Sequence, residues 1–278
     1  VFNHLGYDAE LVFRDHPDPP GILSRILGFR SNLPKFFIAG AQKSGTTSLF
    51  ATLAKHPSIV RPRLKELFFF GNDLRFARGM NFYRSNFRKT GPDKYSIDGS
   101  TNYLDHPEAA TRIKHVVPDA RIIILLRDPA ERAYSHYRMQ VRNKIEGLTF
   151  EDALEKENER IEEGNKFSIA HNYCSQRLGY RMRGEYSRML PPWMKTFGEE
   201  QLLILIAENY FANPKEEYHR ILKFLGLPEH TPEKFEIMNA GSGAPMSDRA
   251  RKHLQEHYLP YNAQLESLLN VKLNWNEA

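Results

Sequence analysis

The stretch FFIAGAQKSGTTSLFATL, Phe36 to Leu53, decides the fold. Its first six residues, Phe36 to Ala41, form an apolar run of buried-strand type. A turn rich in Gly, Ser and Thr follows. From Thr46 the apolar residues Leu49, Phe50, Leu53 and Ala54 recur at helical spacing, and His56-Pro57 ends that helix. A strand that feeds a helix through such a turn points several backbone N–H groups at one spot, where the positive end of the helix dipole adds to them. Gly40 and Gly45 let the backbone approach an anion closely, while Thr46, Thr47 and Ser48 can donate from hydroxyls.

Working outward, Tyr95 to Asp98, Ile122 to Leu126 and Leu202 to Ile206 read as three more strands, the last two continuous and apolar as in a parallel sheet covered on both faces. Helical patterns lie between them. One follows Pro107 and another runs from Ala130 to about Lys144. Thr149 caps a helix carrying Phe150, Ala153, Leu154 and Ile161, which Gly164 ends. Leu178, Met182, Tyr186, Met189 and Leu190 form a helical stripe that Pro191-Pro192 breaks or kinks. Asn213-Pro214-x-Glu216 has the form of a capping box opening a helix with Tyr218, Ile221, Leu222 and Leu225 on one face. Alternating strands and helices give an α/β class, a three-layer fold with a central parallel sheet flanked by helices. Residues 1–33, interrupted by Asp15-His-Pro-Asp-Pro-Pro20, read as an irregular arm packed on a single domain of residues 34–278.

Composition narrows the function. The chain has 278 residues, 41% apolar and 26% charged, with a net charge of +5. The longest aliphatic run, Ile122 to Leu126, is far short of the roughly 20 residues of a membrane span. No signal-peptide pattern opens the sequence. The single cysteine, Cys174, allows no internal disulfide, no Cys/His cluster has zinc spacing, and no Asn-x-Ser/Thr acceptor occurs. These features lean to the cytoplasm, the alternative being a lumenal catalytic domain of a membrane-anchored enzyme. The positive charge brings nucleic acid into consideration, yet it is not gathered into a run, which fits a solvated mixed surface.

The turn is close to the Walker A loop, G-x-x-x-x-G-K-[ST]. Gly40 and Gly45 keep its glycine spacing, but Thr46 stands at the lysine position and Lys43 sits inside the loop. A Walker lysine reaches the β/γ-phosphates while its neighbour holds Mg²⁺. The displaced lysine suits a ligand whose reactive group needs no metal. Here the chain resembles the sulfotransferases that use 3′-phosphoadenosine 5′-phosphosulfate (PAPS). Lys43-Ser44-Gly45-Thr46-Thr47-Ser48 is similar to their 5′-phosphosulfate loop. Arg127-Asp-Pro-Ala-Glu-Arg-Ala-Tyr-Ser135 is similar to their strand-end arginine and helix serine, which implies that Arg127 and Ser135 hold the 3′-phosphate. Asn239 to Arg249 resembles the loop that closes over the nucleotide, with Arg249 as a further cation.

Lys65-Glu66-Leu-Phe-Phe69 resembles the heparan-sulfate branch of that family, and the resemblance implies that Glu66 is the base that deprotonates the acceptor. The residues by themselves allow either a salt-bridged Glu at a strand edge or a carboxylate beside an aromatic run that desolvation makes more basic. That branch often carries a lysine where this chain has Gly99, so Lys65 or a nearby histidine, among His106, His136 and His171, becomes a candidate replacement. The expectation is therefore sulfuryl transfer from PAPS to an acceptor hydroxyl, with Glu66 and Lys43 catalytic, 3′,5′-ADP as product and no metal. The acceptor is a saccharide, a small alcohol or phenol, or a hydroxyacyl chain on a carrier-domain partner; nucleic acid and membrane are not partners. The rival readings are a P-loop kinase using ATP and Mg²⁺ and a basic nucleic-acid-binding protein.

Overall fold

The computed structural model describes residues 33–167, 173–235, 237–238 and 244–275, so nearly all of the expected N-terminal arm lies outside the described residues. In chain order the elements are β1 (Phe36–Gly40), α1 (Thr46–Leu53), β2 (Ile59–Val60), α2 (Asp73–Phe76), α3 (Gly79–Arg84), β3 (Tyr95–Gly99), α4 (Ala109–Val116) and β4 (Arg121–Leu126). There follow α5 (Pro129–Arg142), α6 (Phe150–Glu155), α7 (Glu157–Phe167), α8 (Tyr173–Leu178), a 3₁₀ turn (Met182–Gly184), α9 (Tyr186–Phe197), β5 (Leu202–Ile206), α10 (Ala207–Ala212), α11 (Pro214–Leu225) and α12 (Asp248–Leu269). The described residues divide into two compact units, one of residues 33–127 with 190–238, the other of 128–189 with 244–275.

All five strands belong to the first unit. They form one sheet in the order β2-β3-β1-β4-β5, parallel throughout. From β1 the chain passes to β2 at one edge, returns to β3 beside β1, and then crosses to β4 and β5 on the other side. The loops after β1 and β4 therefore leave the sheet in opposite directions, which makes their carboxyl ends a topological switch point, where open α/β sheets bind ligands. Every residue of β1 is buried, and so are Ile122 to Leu126 of β4. Phe36, Ile38, Ile97, Ile123 and Leu125 pack against Leu49 and Leu53 of α1 and against Tyr218, Ile221 and Leu222 of α11. Each such side chain contributes about 1.5–3 kcal/mol by leaving water. Phe37 meets Phe70 edge-on.

The second unit is helical. Ala130 and Ala133 of α5 pack with Phe150 and Leu154 of α6, with Tyr180, and with Leu254 and Tyr258 of α12. Beneath this lies a buried ion pair: Arg160 donates to Glu146 at 2.8 Å, and the Tyr180 hydroxyl reaches the same carboxylate.

Four local expectations are corrected. Thr149 does cap α6, accepting from Asp152 N–H, but the helix stops at Glu155 and a separate helix runs on beyond Gly164. The stripe from Leu178 to Leu190 is not one helix: Leu178 ends α8, Met182 opens a 3₁₀ turn, and α9 starts at Tyr186. Gly179 and Gly184 are the physical reason, because a Cβ on either would run into Ser175 O or the Tyr258 ring. Pro191 and Pro192 lie inside α9 without ending it; the burial of Leu190, Trp193 and Phe197 outweighs the lost backbone bonds. Asn213 makes no side-chain cap, so only Pro214 of the expected capping box acts, at the first helical position.

Candidate active site

The loop after β1 holds its shape through backbone strain and close packing. Lys43 (φ 70°) and Gly45 (φ 91°) both adopt the left-handed region. A Cβ on Gly45 would lie 2.5 Å from the Phe211 ring, so only glycine fits that turn. The loop is tied to the sheet by Ala41 N–H donating to Leu125 O at 2.8 Å. α1 then begins at Thr46 with neither a side-chain cap nor an acidic residue in its first turn. The positive end of its dipole thus meets the loop without a protein carboxylate to offset it. Ser44 is fully buried, and its Oγ finds no hydrogen-bond partner among the described residues. A buried hydroxyl in a glycine-shaped cradle at a helix N-terminus fits a phosphate or phosphosulfate group.

The proposed loop ligands differ in their settings. Lys43 and Thr47 are partly exposed, whereas Thr46 and Ser48 are buried. Ser48 Oγ accepts from Met238 N–H at 2.8 Å, tying the described end of the 190–238 segment to α1. Arg127 leaves the end of β4 and donates to Lys43 O at 3.3 Å, so the strand-end arginine and the loop lysine are brought together in the first unit. Ser135 and Arg249 belong to the second unit. Ser135 is partly exposed on α5, which Asp128 caps by accepting from Ala130 N–H at 2.8 Å. Arg249 is exposed in the first turn of α12, capped by Ser247; the adjoining stretch 239–243 lies outside the described residues.

Glu66 stands at the carboxyl edge of β3. Its N–H donates to Gly99 O at 3.1 Å. Its Oε2 accepts from Thr101 N–H at 2.9 Å and from Thr101 Oγ1 at 3.2 Å, while Oε1 pairs with Lys65. The carboxylate keeps 27% of its side-chain surface exposed, so it is oriented and still reachable. Gly99 explains why no lysine stands at that position. A Cβ there would lie 2.8 Å from Phe50 Cδ2, and the Lys65 ammonium sits 5.9 Å from the centre of the same Phe50 ring. The nearby cation is supplied from residue 65.

Of the candidate histidines, His106 is buried: Nε2 faces Asp73 at 3.4 Å and Nδ1 accepts from Glu108 N–H. His136 is fully buried in the second unit beside Tyr180, and His171 lies outside the described residues. Among the described residues no group of three His, Cys, Asp or Glu could hold a metal ion.

Sequence reasoning missed three features. Thr101 as the clamp on Glu66 carries no motif, since its contact joins residues 35 apart. Asp98 accepts hydroxyl bonds from Ser100, Tyr83 and Tyr103, a cluster legible only once the strand is placed. The positive charge is also less evenly spread than expected: residues 61–94, the excursion carrying Glu66, hold nine Lys and Arg against three Asp and Glu.

A family model described as the sulfotransferase domain matches residues 33–250. Heparan sulfate glucosamine 3-O-sulfotransferase 5 of Mus musculus is 26% identical over 267 residues, covering 87% of this chain and 74% of its own. The bifunctional heparan sulfate N-deacetylase/N-sulfotransferase 4 of Mus musculus is 28% identical over 268 residues, which is 86% of this chain and 30% of that protein. Among solved structures, a sulfotransferase from Alicyclobacillus acidocaldarius is similar at a TM-score of 0.77 and 29% identity, covering 88% of this chain and all of that one.

Proposed function

This chain belongs to the sulfotransferase domain family and is a sulfotransferase, and on that premise we propose that Glu66 is the base that deprotonates a hydroxyl of an anionic saccharide. When bound, PAPS supplies the sulfuryl group and departs as 3′,5′-ADP. The first unit fits such a donor: the Ser44 hydroxyl, the loop amides and the α1 N-terminus suit its 5′-phosphosulfate, and Arg127 suits its 3′-phosphate, while the roles of Ser135 and Arg249 are proposed from their motifs alone. Lys43 offsets the negative charge that grows on the bridging oxygen as the bond to sulfur breaks.

The observation that carries this reading is the clamp on Glu66. Thr101 fixes one carboxylate oxygen from two sides, and Lys65 fixes the other. A carboxylate so oriented accepts the acceptor's proton as that oxygen attacks sulfur in line. His106 makes a poorer base, because both its ring nitrogens face protein groups and it is buried. The basic excursion of residues 61–94 favours an anionic acceptor over a neutral phenol or a carrier-bound chain. The two murine relatives are named for heparan sulfate, one for O- and one for N-sulfation, which favours a saccharide acceptor. Among the described residues no helix is long and apolar enough to cross a membrane. A cytoplasmic location is proposed from the sequence alone, with a lumenal catalytic domain as the alternative.

The test is transfer of label from ³⁵S-PAPS to three acceptors. These are a hexasaccharide of alternating uronic acid and N-sulfoglucosamine, its uncharged analogue, and a simple phenol. Label is expected on the charged saccharide, with transfer weakening as salt rises. Equal labelling of the neutral sugar, or preference for the phenol, would contradict the anionic-acceptor reading.

A further inference from the structure

The segment that presents Glu66 has an unusual backbone. Glu66 (φ 62°) and Phe68 (φ 54°) both lie in the left-handed region that residues with a side chain rarely adopt. Such a conformation persists only where the surroundings over-determine it. Three hydrogen bonds hold this one: Glu66 N–H to Gly99 O, Arg75 Nη1 to Leu67 O at 2.8 Å, and Phe68 N–H to Ser100 Oγ at 3.0 Å. The third continues inward. Ser100 Oγ donates to Asp98 Oδ1 at 2.6 Å, and Asp98 Oδ2 accepts from Tyr83 at 2.8 Å and Tyr103 at 2.7 Å. Asp98, Ser100, Tyr83 and Tyr103 are all buried.

A serine hydroxyl has one proton and two lone pairs. Because the proton goes to Asp98, a lone pair is turned toward Phe68 N–H. Asp98 in turn is fixed from its other oxygen by two phenols seated in an aromatic cluster, where Tyr83 stacks on Phe69 at 4.6 Å and Tyr103 meets Phe70 edge-on. A rigid core is thereby joined to the backbone two residues beyond Glu66. Asp98 shares this face of β3 with no proposed ligand of the nucleotide, and its carboxylate is sealed from solvent, so neither donor nor acceptor reaches it.

We propose that Asp98, acting through the Ser100 hydroxyl, is the positioning residue for Glu66; the proposal rests on Glu66 being the base. Ser100 sets the angle at which the carboxylate meets the acceptor, and Thr101, the next residue, fixes the carboxylate itself. Neither Asp98 nor Ser100 touches substrate.

The experiment uses the full chain with ³⁵S-PAPS and the charged hexasaccharide, comparing Ser100→Ala, Ser100→Thr, Glu66→Gln and the double variant Ser100→Ala/Glu66→Gln. Ser100→Ala is expected to lower kcat about tenfold while the acceptor KM and the 3′,5′-ADP affinity stay near wild type. Ser100→Thr, which keeps the hydroxyl, is expected to recover most of that rate. On the Glu66→Gln background the alanine is expected to cost nothing further, because its effect passes through the missing base. Asp98→Asn is the companion if it folds; Ser100→Ala decides the matter if it does not. A Ser100→Ala enzyme with kcat within twofold of wild type would overturn the proposal. So would a full additional tenfold loss in the double variant, or a parallel loss of 3′,5′-ADP binding and melting temperature. If Glu66→Gln alone turns over at the wild-type rate, the base assignment fails first and takes the positioning role with it.

Discussion

Lys43 shows how much one residue's place in a loop decides. It stands two residues before the glycine that opens α1, in a left-handed backbone, with its carbonyl bonded to Arg127. An ammonium there is aimed by the loop, not by a helix, and its charge matters most when negative charge grows on the departing oxygen. Lys43→Ala is therefore expected to lower the transfer rate by about 10²-fold or more while weakening 3′,5′-ADP binding much less. Initial rates and titration calorimetry on the same variant check this; a variant that loses nucleotide binding but keeps its turnover would show a lysine that only holds phosphate. The strand–turn–helix shape of the loop was legible in the sequence because it is local and its spacing is its geometry; its role as a phosphate cradle is our proposal. The partners of Glu66 were not legible. Thr101 reaches the Glu66 carboxylate, and Ser100 the N–H of nearby Phe68, from just beyond the carboxyl end of β3, and no spacing rule links residues 66 and 68 to residues 100 and 101. The crowding at Gly99 also needed coordinates, since Phe50 fills the space a side chain would take.

At the scale of elements, strands were read best. β1, β4 and β5 fall where continuous apolar runs placed them, and in β1 and β4 burial on both faces leaves few polar residues to confuse the pattern; β3 falls where it was read although it carries Ser96 and Asp98. The two-residue β2 and the short helices α2 and α3 carry too few residues for a period to show. Helix junctions in the second unit were misread because long-range contacts, at Gly179 and Gly184 and at a buried carboxyl, act there beside any capping residue. Glu157 is the clearest case. Fully buried at the start of α7, it accepts from Arg181 N–H at 2.7 Å and Met182 N–H at 2.9 Å, fixing the turn ahead of α9. Burial is the largest influence and raises its pKa above the ordinary 4.5, with those two N–H groups and Arg181 opposing. A carboxyl raised in the folded state binds more protons there than in the unfolded chain. Its stabilising contribution is complete below about pH 4.5 and is lost as pH rises through the folded value. The stability of wild type relative to Glu157→Gln is thus expected to fall as pH rises from that point. Urea midpoints at several pH values measure it, and a difference that widens with pH would reverse the assignment.

For the whole molecule, one sheet organises the first unit. Adjacent strands β3, β1 and β4 deliver Asp98 with the Glu66 clamp, the phosphate loop and Arg127 at their carboxyl ends. The second unit carries Ser135 and Arg249 on helices of its own. A single domain of residues 34–278 remains our proposal for how these act in catalysis. The most direct measurement is the single-turnover rate of Glu66→Gln with PAPS preloaded, which separates chemistry from product release. The substitution keeps size and hydrogen-bonding reach but removes the basic lone pair. If Glu66 is the base, the chemical step slows by about 10²- to 10⁴-fold, with 3′,5′-ADP affinity and melting temperature near wild type. A Glu66→Gln enzyme that keeps the wild-type single-turnover rate, while His106→Ala or His171→Ala collapses, would contradict it and move the base to a histidine.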